Sequence, residues 1–225
     1  MTTISLPLAV WGEGYAEFLP RWWEGVLSLE RQPDEVVIVT DAKNFLRAIE
    51  STPQRVPTSV FSFDGEEYAD YWNEAISRCS GEWLGICNAD DKFLPGALNE
   101  IDKADQDGCN LVCDSIQDKD GGGMHRSSWH PETIATAWTM VGAEPMKKSL
   151  WQAAGGFRKG FLFADWQLAM CMAKTGQVKA HDATTTRIIY DRGHTRKTLS
   201  GVLQDNNKKS EGYVKLRALA EQLEL

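Results

Sequence analysis

Residues 82–91 read EWLGICNADD, an apolar run that closes on two adjacent carboxylates, Asp90 and Asp91. The run has the length and composition of a buried core strand, and open α/β sheets bind their ligands beyond the carboxyl ends of such strands. Two like charges fixed at one strand end repel each other unless a cation or hydrogen bonds neutralise them. Mg²⁺ or Mn²⁺ would do so, because hard divalent ions take oxygen ligands and are often held by one or two carboxylates plus substrate phosphates. The plain alternative is a solvated turn that caps a helix starting near Pro95.

Upstream of this stretch, ISLPLAV at Ile4–Val10 and EVVIVT at Glu35–Thr40 are continuous apolar runs of the kind found in parallel strands covered on both faces. Between them, Phe18, Leu19, Trp22, Trp23, Val26 and Leu27 fall at helical spacing within residues 16–29, which completes a β-α-β unit. A short helix at 45–51, an extended segment at 59–63 and a helix over 67–79 lead into the acidic motif. Downstream, the pattern predicts a helix over 95–104, a strand at 110–114 and a flexible DKDGGG run at 118–123 that opens a loop or edge hairpin. Helices at 147–154 and 163–174 flank Gly155-Gly156, and strand-like segments follow at 177–180 and 185–190. In the last helix Leu216, Leu219, Ala220 and Leu223 share one face. Strands alternating with helices predict an α/β fold with a mainly parallel central sheet. With 225 residues, 42% of them hydrophobic, the chain fills one large core rather than two.

A net charge of −8 and a pI near 5.1 argue against binding nucleic acid through the overall field. The stretch from Arg187 to Arg217 nevertheless carries eight Lys/Arg against three Asp/Glu, so a polyanion could be met there. The five cysteines show no zinc-site spacing and read as thiols of a reducing cytoplasm. The apolar start lacks a basic leader and is too short to span a bilayer, so no transmembrane segment is expected and the location is expected to be cytoplasmic.

Two further acids stand out. Asp41 follows EVVIVT at a strand end, where a turn residue is as good a reading as a ligand contact, and Asp165 follows the glycine-rich GGFRKGFLFA. In order, ISLPLAVWGEG, the Trp-rich helix and EVVIVTD, then YWNEAISRCSGEWLGICNADD, then LWQAAGGFRKGFLFADWQLAMCMAKTG, the chain resembles the family 2 glycosyltransferases with the GT-A fold. The resemblance runs through most of the chain, and the ordered set is more specific than any one piece.

The resemblance implies a single GT-A domain over 1–225: a nucleotide-binding half at 1–91, an acceptor-binding half at 92–200 and a C-terminal helical extension at 201–225. It implies a metal-dependent, inverting transfer of a sugar from a nucleoside-diphosphate sugar, with a UDP-sugar as the expected donor. Asp41 would accept from the nucleobase, with Val10 and Trp11 beside it. Asp90 and Asp91 would hold Mn²⁺ or Mg²⁺ against the diphosphate, Asp90 contacting the nucleotide as well, and His194 could be a third metal ligand or a surface histidine. Asp165 would be the general base, and Trp166 would offer a platform to an acceptor sugar, although a core role fits a helix-start tryptophan equally. Asn73 matches a position expected to support the structure rather than touch ligand.

Three departures from the family pattern stand out. Asn88 replaces an Asp, Ala164 replaces the acid that usually precedes the base, and a Gly-Ser pair is missing after Asp41. Two rivals follow. A sugar-phosphate nucleotidyltransferase would carry a basic glycine-rich loop after the first strand, whereas WGEGYAEF has no basic residue; a non-catalytic carbohydrate- or nucleotide-binding protein would fit the nine tryptophans and the departures. The acceptor stays open among a glycan, a lipid-linked sugar and a modified polymer, modified DNA included.

Overall fold

The β-branched and apolar runs form the middle of the sheet. β1 (Ile4–Val10) is buried along its whole length and pairs in parallel with β2 (Glu35–Thr40), with Leu8 opposite Ile38. β3 (Thr58–Ser62) extends the parallel half beyond β2, and β4 (Trp83–Leu84) flanks β1 on the other side. The computed structural model describes residues 2–51, 55–119, 123–140, 143–189 and 206–225. Beyond β4 the sheet becomes mixed. It continues through β8 (Met146–Lys147), β6 (Leu111–Asp118), β9 (Ala180–Ile189) and β5 (Asp91–Phe93), while β7 (Met124–Arg126) pairs with β6 off this path.

Alternation along the central strands divides the core into two layers. Ile4, Leu6, Leu8, Val36 and Ile38 pack against α1 (Leu19–Leu27), α2 (Lys43–Glu50) and α4 (Ala97–Gln106). Ala9, Val37 and Val39 face the opposite layer, with α3 (Tyr68–Arg78), α5 (Lys148–Ala154), α6 (Ala164–Thr175) and α7 (Asn206–Leu223). Among the described residues no helix is long and apolar enough to cross a membrane.

Three elements differ from the sequence expectation for local reasons. The helix expected over 16–29 begins as a 3₁₀ turn, Glu13–Phe18, and the α-helix starts only at Leu19, where Pro20 takes a first-turn position whose N–H would be unpaired anyway. EWLGIC pairs as a strand only at Trp83–Leu84, because the chain then turns through Asn88 and sends Asp91–Phe93 to the far edge against β9. Of the segments expected at 177–180 and 185–190, the first is irregular up to Ala180, where a single ten-residue strand begins and runs to Ile189, and residue 190 lies outside the described residues. The polar middle of this strand is carried by parallel pairing to β6, interrupted by register shifts near Cys113 and Ser115.

The segment between α5 and α6 is clamped onto α3 by one side chain. Asn73 Nδ2 donates to the Phe157 carbonyl at 2.8 Å and Asn73 Oδ1 accepts from the Phe157 N–H at 3.0 Å, as a neighbouring strand would. The fully buried Gln167 secures the same segment from α6 by accepting from the Arg158 N–H at 2.7 Å. The expected supporting role of Asn73 is thereby given a physical form. Gly156 makes the clamp possible: its φ is +71°, and a Cβ there would lie 2.9 Å from Asn73 Oδ1 and 3.0 Å from the Trp151 ring. Gly156→Ala is expected to cost about 1–3 kcal/mol of stability, read as a lower midpoint in urea unfolding with an unchanged m-value.

Candidate active site

Asp90 and Asp91 are held from below and from the side. Trp22 Nε1 donates to the Cys87 carbonyl at 3.2 Å, and Arg21 Nη2 donates to the Asp90 carbonyl at 2.7 Å, so α1 fixes the turn that carries both acids. Both are almost entirely removed from water, at 8% and 5% exposure. Burial first, then the neighbouring Asp90 charge, pushes the Asp91 carboxyl up to about 8. Arg187 and a hydrogen bond from the Asn88 side chain act the other way. Asn88, the departure from the family pattern, thus supplies a donor where a third acid would have added a like charge.

Asp165 lies in the first turn of α6, where the helix dipole favours a negative charge. Its Oδ1 accepts the Trp166 N–H at 2.9 Å. Burial nevertheless raises its carboxyl above the ordinary range, with hydrogen bonds from the helix start opposing. Ala164 beside it is buried, so an acid at that position would have entered the core.

Tyr68, at the start of α3, lies within electrostatic reach of acids from two separate segments. Its phenol is pushed well up by burial, then by the charges of Asp165 and Asp90 together with Tyr15. The acidic motif and the acid of α6, far apart in sequence, therefore act on the same hydroxyl. Trp11 packs edge-on against Tyr68 with ring centroids 5.1 Å apart, and it also touches Tyr15 and Tyr71.

Asp41 sits exposed at the end of β2, where its Oδ1 accepts the Gly12 N–H at 2.8 Å. Its charge also helps to raise the Tyr71 hydroxyl, after burial. Glu13 accepts the Lys43 and Asn44 N–H groups at 3.0 Å each, which ties the loop after β1 to the start of α2. Val10 is fully buried in the sheet core, so its backbone and not its side chain is available to a ligand. Trp166 is buried as well: its indole stacks on Trp138 at 5.7 Å and its Nε1 donates to the Ile134 carbonyl at 2.6 Å. A tryptophan used in this way is core, and its ring is not displayed to an acceptor. His194 lies outside the described residues.

Sequence reasoning missed Tyr68 and a buried ionic cluster under the motif. Arg187 donates to both oxygens of Asp114, from Nε at 2.7 Å and Nη2 at 3.2 Å, and Thr186 Oγ1 donates to the same carboxylate at 2.6 Å. Glu144 accepts from the Asp114 N–H at 3.2 Å and from the Ser127 hydroxyl. Burial and then the Asp114 charge drive the Glu144 carboxyl well up, whereas Asp114 is held low against its own burial by Arg187. A basic residue inside a β-branched strand, TTTRII, was the available signal.

The donor set fits a hard divalent cation. Two neighbouring buried carboxyls, one of them raised by burial and by the charge of the other, form an oxygen donor pair, and carboxylates with phosphate oxygens are what Mg²⁺ or Mn²⁺ accepts. Among the described residues no group of three His, Cys, Asp or Glu side chains could hold a metal, so other ligands would have to come from substrate or from elsewhere in the chain.

The glycosyl transferase family 2 model matches residues 8–173. Similar solved structures include TarS of S. aureus, residues 1–349, in complex with UDP-GlcNAc (TM-score 0.70, 13% identity, 87% of this chain and 60% of that chain). The mannosyltransferase PcManGT from Pyrobaculum calidifontis, in complex with GDP-Man and Mn²⁺, is also similar (TM-score 0.61, 14% identity, 99% of this chain and 74% of that chain). The chain spans about three fifths of the TarS 1–349 length. At these identities the likeness shows the fold. No curated protein matches the chain.

The state of Asp91 gives the site a pH signature. Its carboxyl titrates near 8 in the fold against the ordinary aspartate value of 3.8 in the unfolded chain, so between these values the folded chain holds a proton that the unfolded chain has released. Its contribution to stability therefore falls as pH rises through that window and is level above it. Asp91→Asn is expected to flatten this part of the profile, measured by urea unfolding at steps across it; a variant with the original slope would remove Asp91 as its source.

Proposed function

This chain belongs to glycosyl transferase family 2, and on that premise we propose that it is a metal-dependent, inverting glycosyltransferase that uses a nucleoside-diphosphate sugar, a UDP-sugar being the expected donor. The observation that carries the reading is the convergence on Tyr68, whose phenol lies in the field of both Asp90 and Asp165. A donor held by the motif and a proton acceptor on α6 would then face one cleft. The nucleotide-sugar and Mn²⁺ complexes of the similar structures support the donor class and the divalent ion.

In this reading Asp41 accepts from the nucleobase at the ends of β1 and β2, with its orientation set by the Gly12 N–H, and Trp11 lines the same end of the sheet. Residues 1–91 form the donor half, 92–200 the acceptor half, and 201–225 the helical extension. Asp90 and Asp91 would hold the cation, which would supply positive charge to neutralise the departing diphosphate. Asp165 takes the proton of the acceptor hydroxyl while that oxygen attacks the anomeric carbon. The bond from that carbon to the diphosphate breaks, its electron pair leaves with the nucleoside diphosphate, and the carbon is inverted. Burial of Asp165 makes it a stronger base than an exposed carboxylate and delays its ionisation, so the rate should rise through a pKa above the ordinary carboxylate range. A cytoplasmic location accords with five cysteines that form no disulfide.

Asp165→Asn is expected to retain UDP binding in the presence of Mn²⁺ while transfer falls by at least about 10²–10⁴-fold. Calorimetry and released nucleotide from a panel of nucleotide sugars measure the two arms. An active variant would remove Asp165 from the base role, and UDP binding indifferent to chelation would remove Asp90 and Asp91 from metal binding.

A further inference from the structure

α2 begins without a cap of its own. Its N-cap position is Ala42, whose side chain accepts no hydrogen bond and is buried in the layer with Phe45 and Ile49, and its first turn holds no acid. Ser, Thr, Asp or Asn at that position would ordinarily accept from the first free amides of the helix. Where the family pattern carries a Gly-Ser pair after Asp41, this chain has Ala42-Lys43. The acceptor comes instead from the loop after β1: Glu13 takes the Lys43 N–H with Oε1 and the Asn44 N–H with Oε2, both at 3.0 Å. A bond also runs the other way. Asp41, directly before Ala42, accepts at 2.8 Å from the N–H of Gly12, directly before Glu13. Each of the two loops therefore carries an acid that accepts from the backbone of the other. Gly12 permits the crossing, because its φ of 80° and ψ of 152° lie in a region essentially restricted to glycine.

We propose that Glu13 is a positioning residue for donor binding: by capping α2 from the loop after β1, it fixes Asp41 and Trp11 relative to each other at the nucleobase end of the site. The proposal rests on the reading of Asp41 as the acceptor for the nucleobase. Asp41 lies two residues before Lys43, and Trp11 two residues before Glu13, so one carboxylate ties together the backbone on which both side chains stand. Glu13 is exposed and takes no part in the core, so its removal leaves the packing of β1 and β2 in place and frees only the two loops. Its charge matters as well as its geometry, because a negative group at a helix N-terminus is favoured by the helix dipole. An amide in its place keeps one acceptor oxygen and loses the charge, and so holds the helix start less well. The diphosphate of the donor is assigned to Asp90 and Asp91, on a different segment, so a defect confined to these loops is felt by the base and not by the pyrophosphate.

Calorimetric titration of the full chain with UDP, GDP and inorganic pyrophosphate, each in the presence of Mn²⁺, tests the assignment without requiring turnover. Glu13→Ala is expected to weaken the tighter-bound nucleotide by about tenfold while pyrophosphate binding stays within about twofold. Glu13→Gln should fall between Glu13→Ala and the unsubstituted chain. A merely structural role would weaken nucleotide and pyrophosphate together, and circular dichroism on the same samples checks the fold. If Glu13 acts through Asp41, the double variant Glu13→Ala/Asp41→Ala should bind the nucleotide no more weakly than Asp41→Ala alone. Unchanged nucleotide binding in Glu13→Ala, an equal loss for pyrophosphate, or full additivity in the double variant would overturn the proposal. Failure of the donor reading appears separately, as an unsubstituted chain that binds neither UDP nor GDP, or as nucleotide binding indifferent to Asp41→Ala; either result takes the proposal with it.

Discussion

The guanidinium of Arg187 is fully buried, and much of the mixed half of the sheet is arranged around it. It reaches from β9 to Asp114 on β6 with two hydrogen bonds, and Glu144 lies 3.8 Å from its Nη2 on the other side. A buried charge is tolerated only when it is paired and its donors are satisfied, because removing one partner of such a pair typically costs about 3–5 kcal/mol. One cation cannot hold two carboxylates ionised in the same dry space. Asp114 takes the bidentate geometry, which favours its charged form, whereas burial and the Asp114 charge push Glu144 toward its protonated form while it accepts from a backbone N–H and the Ser127 hydroxyl. The cluster thus specifies how β6 and β9 align, and it does so beside the short edge strand that begins at Asp91, whose Phe93 lies opposite Arg187 in the ladder.

That placement governs the acidic motif. Asp91 pairs through its backbone with Ile189, two residues beyond Arg187, and Arg187 is the cation that acts most on its carboxyl. The guanidinium is already committed to Asp114, so the pull on Asp91 falls short of what burial and Asp90 impose. Asp91 is left raised, and a divalent ion with phosphate ligands is the kind of charge that would lower it. Against this background the two departures from the family pattern make physical sense. An Asp in place of Asn88 would add a like charge beside Asp91, and the amide instead donates to it. An acid in place of Ala164 would have to be buried in the layer beneath α6.

The parallel half of the fold was legible because its signals are local. Ile4–Val10 and Glu35–Thr40 are β-branched or apolar throughout, and Trp22, Trp23 and Val26 repeat at helical spacing between them. The mixed half was less so, since β5 and β8 are only three and two residues long and owe their existence to partners remote in sequence. The acids at 41, 90, 91 and 165 could be picked out by their positions after apolar or glycine-rich runs. Tyr68 could not, because its importance comes from α3 crossing the sheet so that one phenol meets charges from two separate segments. Trp166 had two readings in the sequence, sugar platform or core, and the choice between them depended on remote partners: Trp138 stacks on its ring and the Ile134 carbonyl takes its N–H.

α3 is the element through which the two halves meet. Its N-terminus carries a capping box between Glu67 and Asp70, and both of those acids also reach the segment ahead of α6. Glu67 accepts the Gly160 N–H, and Asp70 pairs with Lys159 at 3.0 Å. One turn further on, Asn73 clamps Phe157. The same helix that displays Tyr68 therefore holds, at three successive points, the loop that delivers Asp165. A surface ion pair such as Lys159–Asp70 adds little by itself, but the backbone-to-side-chain bonds beside it leave the loop few alternative paths. The position of that loop therefore follows from the packing of one helix, which Trp72, Ala75 and Ile76 seat in the core.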